Sequence, residues 1–222
     1  MKDSIAGIDY RFKDPRLLEE ALTHRSIGAG NNERLEFLGD SVLGMVVSSR
    51  LFERFPDAPE GDLTRMRARL VRGSTLARLG KELNLGREIM MDPGVMKSAG
   101  FRNASILADA VEALIGAIYL DGGYAAVRAV VLEKFEPLIE DLPSVEQLKD
   151  PKTRLQEWLQ ARSRPLPRYT LEFEEGMPHA RTFYVSCRLE DGSRSEAQGS
   201  SRGAAEQAAA AAMLDKLQGE AA

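Results

Sequence analysis

Asn32-Glu33-Arg34-Leu35-Glu36-Phe37-Leu38-Gly39-Asp40 is the stretch on which the reading of the chain turns. Its acids Glu33, Glu36 and Asp40 fall at i, i+3 and i+7. On a helix, at about 100° per residue, all three share one narrow arc. Phe37, Leu43 and Val47 lie in or beside that arc, so the acids are expected in the stripe that faces the core. The oddity recurs in Ile106-Leu107-Ala108-Asp109-Ala110-Val111-Glu112-Ala113-Leu114-Ile115, an apolar run with two acids three apart. No lysine or arginine occurs from residue 103 to residue 127, so no helical neighbour can neutralise them. A buried carboxylate left ionised and alone is strongly unfavourable.

Acids at i, i+3 usually mark a solvated helix face. Here both sets sit in apolar sequence and neither has a cation at helical spacing. Hard divalent cations take oxygen ligands, and two helices each offering acids from one face make a suitable cage. Mg²⁺ or Mn²⁺ is the natural occupant. Cysteine is missing from the region and its only histidine, His24, lies outside both acid clusters, which argues against zinc.

Outward from these helices, the first 140 or so residues read as helix after helix. Residues 15–23 start with Asp14 at the cap position and Pro15 in the first turn. Residues 35–52, 61–84, 104–120 and 125–138 carry apolar residues at three- and four-residue spacing. Turn residues separate them at 56–59, 92–94 and 121–123. No alternating strand pattern precedes residue 165. Residues 142–150 are short and polar, and beyond them the periodicity changes. Residues 151–162 read as a helix, 168–173, 182–189 and 193–197 as strands, and 202–217 as a closing alanine-rich helix. Glu190-Asp191-Gly192 is a hairpin signal between the last two strands. The expected fold is therefore mainly α: an all-helical domain over 1–143, a linker over 144–150, and a small α-β-β-β-α domain over 151–222.

The chain has 222 residues, 43% hydrophobic and 29% charged, an ordinary globular profile. Its apolar runs are far too short for a membrane span, which needs about 20 residues. Residues 1–4 open no leader pattern. A single cysteine, Cys187, excludes an internal disulfide and suits a reducing, cytoplasmic compartment. Thirty basic residues against thirty-four acidic ones give a net charge of −4, so the excess positive charge usual in nucleic-acid binders is absent. Any nucleic-acid function has to rest on local patches.

Residues 32–40 resemble the signature of the ribonuclease III endonuclease domain. The resemblance extends to Ala21-Leu22-Thr23-His24-Arg25-Ser26, to Glu60-Gly61-Asp62-Leu63 and to residues 105–121, four blocks in order. It implies a homodimeric endonuclease that hydrolyses double-stranded RNA by a divalent-metal-activated water. The products would carry 5′-phosphate and 3′-hydroxyl ends with short 3′ overhangs. It further implies that Glu36, Asp109 and Glu112 hold Mg²⁺, with Mn²⁺ able to substitute, and that Asp40 and Glu112 are the essential catalytic acids. Glu33 and Glu60 match a secondary acidic set. Processing of ribosomal RNA precursors and other structured RNAs is the expected role, with no small-molecule organic cofactor and no membrane partner.

Arg65, Arg69 and Arg72, at i, i+4 and i+7 of one expected helix, could grip phosphates, although such a face is as often merely solvated. The C-terminal unit resembles a double-stranded RNA-binding domain, a module that reads A-form shape through 2′-hydroxyls and phosphates. Thr153, Gln156 and Glu157 match its first contact region, and His179 its minor-groove loop. Arg202 matches the third region but stands alone where relatives carry two or three basic residues. One alternative, a non-catalytic double-stranded RNA-binding or ribosome maturation protein, predicts loss of Asp40, Asp109 or Glu112, and all three are present. A helical nucleotide phosphohydrolase would bring histidine–aspartate pairs, and none occurs.

Overall fold

The structure is a computed structural model that describes residues 2–98, 102–143, 149–177 and 180–219. The chain divides into two compact units, Met1–Leu142 and Pro143–Ala222.

The first unit is helical. Helices α1 (Pro15–Ala21), α2 (Glu33–Arg54), α3 (Glu60–Leu70) and α4 (Gly73–Glu82) pack on the long α6 (Ala104–Glu140), and the short α5 (Pro93–Lys97) lies in the connection before it. Asp14 caps α1 by accepting the Arg16 N–H at 3.0 Å, and Asn103 caps α6 by accepting the Ser105 N–H at 3.0 Å. Such caps satisfy backbone donors that a helix start leaves open. α6 buries Ile106, Leu107, Ala108, Ala110, Val111 and Ala113–Ile118 almost all round, so it is the axis of the core.

Two expectations change here. The expected helix over 61–84 breaks after Leu70, and Arg72 caps α4. Arg72 therefore does not share a face of α3 with Arg65 and Arg69. The expected break at 121–123 is present: Gly123 leaves helical geometry (φ +75°, ψ −175°), so two helical segments meet at a sharp kink within the span labelled α6. The acids of α2 do not lie in the core stripe. Leu35, Gly39, Val42, Leu43, Val46, Val47 and Leu51 are buried, whereas Glu33 and Asp40 are exposed and Glu36 is half-buried. They line the edge of the buried face, and Phe37 beside them is 79% exposed.

What sets α2 against α6 is a pair of glycines. A Cβ on Gly39 would collide with the carbonyl oxygen of Glu112 and stand 2.6 Å from its carbon. A Cβ on Gly116 would collide with the carbonyl oxygen of Leu35 and stand 3.1 Å from its carbon. Each helix thus meets the other's backbone where a side chain is missing.

The second unit has α7 (Pro151–Gln160), strands β1 (Arg168–Glu175), β2 (Thr182–Arg188) and β3 (Arg194–Gly199), and α8 (Arg202–Gly219). The sheet is antiparallel in the order β1-β2-β3, with a bulge between Leu171 and Phe173. Leu155 and Leu159 of α7, Val185 and Cys187 of β2, and Ala209 and Met213 of α8 form its core. Asp150 caps α7 through the Thr153 N–H and hydroxyl at 3.0 and 2.7 Å. The hairpin turn holds Gly192 at φ +88°, a conformation glycine adopts without strain.

Because backbone meets backbone at the α2–α6 crossing, neither partner can rotate aside. Gly39→Ala should lower stability by about 3 kcal/mol or more, at or above the upper end for overpacked cores. Gly73→Ala, where a Cβ meets nothing within 4 Å, serves as the control and should stay close to wild type. Chemical denaturation of the two variants tests this; equal midpoints would show that the crossing is not close.

Candidate active site

Gly39 lies three residues after Glu36 and one before Asp40, and Gly116 lies four after Glu112. The close crossing therefore carries the acids of both helices to one place. One carboxylate oxygen each from Glu36, Asp109 and Glu112 lie within 4.8 Å of one another, and all three residues are half-buried. Among the described residues, none of the three carboxylates makes an ion pair.

Their electrostatics follow from that placement. Burial, with Asp40, Glu36 and Asp109 close by, pushes the Glu112 carboxyl up to about 7. Burial also raises Asp109, and burial with the charges of Asp109 and Glu33 raises Glu36. Removing water from a carboxylate and crowding it with like charges both favour the protonated form. The group is thus held in a state that a cation would relieve. Oxygen donors at this spacing fit a hard divalent ion, which takes carboxylates as ligands. Asp40 belongs to the same field through Glu112 but stays on the solvent side. Glu33 stands exposed at the start of α2. Glu60, at the start of α3, accepts the Thr64 hydroxyl at 2.8 Å and lies outside the three-carboxylate group.

Two residues that the helical spacing placed apart from the acids reach them after all. His24 and Arg25 both lower the Asp109 carboxyl from outside its helix, against the larger effect of burial, and Arg25 also acts on Glu36. They belong to the loop before α2, which backbone bonds fasten: His24 N–H to Met90 C=O at 2.9 Å, Met90 N–H to Leu22 C=O at 2.8 Å, and Asn32 N–H to Thr23 C=O at 2.9 Å. Helical periodicity could not reveal a loop partner. The glycines left a signal that went unused: each costs about 1 kcal/mol relative to alanine inside a helix, and each sits within four residues of an acid.

The basic candidates divide. Arg65 donates to the buried Asp62 carboxylate at 2.8 Å and so helps to fix α3. Arg69 and Arg72 are exposed on either side of the α3–α4 break. In the second unit Gln156 is exposed, Thr153 is engaged with Asp150, and Glu157 takes the Lys149 ammonium at 2.6 Å. Arg202 donates to Glu206 at 3.0 Å, and Lys152 reaches the same carboxylate at 2.8 Å. His179 lies outside the described residues.

The raised carboxyls make a prediction for the metal-free protein. An unfolded glutamate gives up its proton near pH 4.3, whereas folded Glu112 keeps it to about 7. Between those values the folded state binds more protons, so its stability falls as pH rises. Melting temperature without metal should drop from about pH 5 to about pH 7.5, and Glu112→Gln should flatten the fall. Mg²⁺ should restore stability at the higher pH and do little at the lower. A flat wild-type profile over that window would refute the coupling.

Comparison with known proteins accords with this geometry. Residues 14–138 match the model of ribonuclease-III-like proteins, and residues 151–217 match the double-stranded RNA binding motif. Ribonuclease 3 of Alkalilimnicola ehrlichii is 53% identical over 219 residues, covering 98% of this chain and 96% of that protein. Ribonuclease 3 of Xanthomonas oryzae pv. oryzae is 54% identical over 211 residues, covering 95% and 93%. The crystal structure of the ribonuclease III nuclease domain from Campylobacter jejuni is similar at a TM-score of 0.57 and 44% identity, covering 60% of this chain and 92% of that one. A second structure of that domain, at 46% identity and a TM-score of 0.57 over 58% of this chain and 90% of that one, is described by flexibility in the region involved in its dimer formation. With both domains matched in order along nearly its whole length, this chain belongs to the ribonuclease III family and is an endoribonuclease of double-stranded RNA.

Proposed function

We propose that Glu36, Asp109 and Glu112 hold a divalent cation, Mg²⁺ with Mn²⁺ able to substitute, and that Asp40 and Glu112 are the acids on which hydrolysis depends. The single observation that supports this is the set of three half-buried carboxylates on crossing helices, with no ion pair of their own among the described residues. When bound, such a cation lowers the pKa of water and stabilises charge on phosphate oxygens. Glu112 has the carboxyl most strongly pushed towards its protonated form, so it gains most from a positive charge. Asp40, exposed beside it, can accept a hydrogen bond from water at its carboxylate and orient that water towards phosphorus. Attack by water rather than by the RNA's 2′-hydroxyl leaves 5′-phosphate and 3′-hydroxyl ends. Glu33 and Glu60 form an outer acidic set. Thr153, Gln156, Glu157, His179 and Arg202, with Arg65, Arg69 and Arg72, are the proposed contacts to duplex RNA.

The enzyme acts as a homodimer through α2. Phe37, Met45 and Phe52 are 79%, 47% and 72% exposed along one side of that helix, with the small Ser41 and Ser48 between them. An exposed stripe of large apolar side chains separated by small ones suits a two-fold partner, which presents the same stripe. One site per protomer then cuts each strand, giving short 3′ overhangs. Ribosomal RNA precursors and other structured RNAs are the substrates, and the cytoplasm is the setting. No helix among the described residues is long and apolar enough to cross a membrane.

Glu112→Ala and Asp40→Ala should each lower Mg²⁺-dependent cleavage of a long RNA duplex by about 10³-fold or more, as removal of central catalytic groups does elsewhere. Duplex binding should survive, since the change removes negative charge. Cleavage at near wild-type rate by either variant would overturn the assignment. Replacing Phe37 and Phe52 together by glutamate should give a folded monomer. Sedimentation at micromolar concentration checks this; a dimer of unchanged stability would place the interface elsewhere.

A further inference from the structure

Glu36, Asp109 and Glu112 gather within 4.8 Å, the exposed Glu33 and Asp40 act on them as well, and one divalent cation would not neutralise all five. The substrate is a polyanion. A fixed positive charge beside this group would let a backbone phosphate approach, and Arg25, whose charge acts on both Asp109 and Glu36, stands there. It opens the 3₁₀ turn Arg25–Ile27, which His24, Ser26 and Asp92 tie down: the Ser26 N–H donates to His24 Nδ1 at 3.2 Å, and the Asp92 N–H to Ser26 Oγ at 3.0 Å. The backbone carrying Arg25 is therefore anchored on both sides while its side chain is 72% exposed. Its sole ion-pair partner among the described residues is Glu33, itself exposed, at 4.0 Å. Such a pair contributes little and is readily exchanged. A guanidinium offers a planar fork of donors that fits two phosphate oxygens at once.

We propose that Arg25 is a substrate-positioning residue that leaves Glu33 to grip a backbone phosphate of the RNA strand entering the acid cluster. This rests on the site assigned above. His24 holds the turn through Nδ1 and is not itself the grip.

The test uses the full chain with a short RNA duplex at saturating Mg²⁺, comparing wild type, Arg25→Ala, Arg25→Lys and Glu33→Gln. Arg25→Ala should raise KM about tenfold, the equivalent of one lost charge-assisted contact. The slope of log kcat/KM against log salt should fall by about one unit, as for one phosphate contact. Arg25→Lys should recover the salt slope, because the charge remains, but only part of the KM, because the fork is gone. Glu33→Gln should lower KM by freeing the guanidinium. Wild-type KM and salt slope in Arg25→Ala would overturn the proposal, and so would a lower Mg²⁺ requirement as the sole change, since Arg25 would then act only on the cation. If Arg25→Ala does not fold, wild-type values of KM in both Arg25→Lys and Glu33→Gln overturn it. Failure here while Glu112→Ala still abolishes cleavage leaves the acid site standing; Mg²⁺-independent cleavage by wild type would remove both.

Discussion

The structure depends on two helices touching where neither has a side chain. Gly39 of α2 and Gly116 of α6 let the backbones meet, and the acids three to four residues away follow from that contact. An alanine at either position would force the helices apart, and the carboxylates with them. Helix propensity disfavours glycine here, so local stability is given up for interhelical distance. The same arrangement explains why the site sits at the edge of the core. Where the backbones touch there is no room for any side chain between them, so the carboxylates of the flanking residues emerge at the rim.

That placement has an electrostatic cost that the fold does not hide. Glu36, Asp109 and Glu112 are crowded together out of full solvent, and each is pushed towards its protonated form. Nothing within their own helices offsets this. The opposing charge comes from Arg25, on a loop held by backbone bonds to the Met90 segment. The first domain thus accepts an unfavourable cluster, which the cation proposed above would relieve. Sites of this kind are where stability and function pull in opposite directions.

Much of this was legible in the sequence, and the gaps have physical causes. Periodicity located the acid-bearing helices because it reports which residues share a face, and it separated the helical part from the α-β-β-β-α part because strand and helix periods differ. It overstated the burial of Glu33 and Asp40, since an arc shared with Leu43 and Val47 can still lie at the rim of the buried face. It missed the break at residues 71–72, where no glycine or proline precedes Arg72 and the apolar spacing runs on across the gap. It could not place Arg25 beside Asp109, because that neighbourhood is made by tertiary hydrogen bonds between segments more than sixty residues apart. The resemblance of residues 32–40 to a family signature drew attention to Glu36 and Asp40, yet Gly39 between them fixes where they stand.

Glu206 in the C-terminal domain gives the last consequence. Both Lys152 of α7 and Arg202 of α8 already rest on its carboxylate. A duplex phosphate taking Arg202, as proposed above, would displace an anion already in place, so association would be an exchange of one negative partner for another and not a plain gain. Dissociation would have the same character in reverse, with the carboxylate within reach to reclaim the guanidinium as a phosphate let go. For an enzyme whose product is also a duplex, a carboxylate competing for the same cation would favour release of the cut RNA.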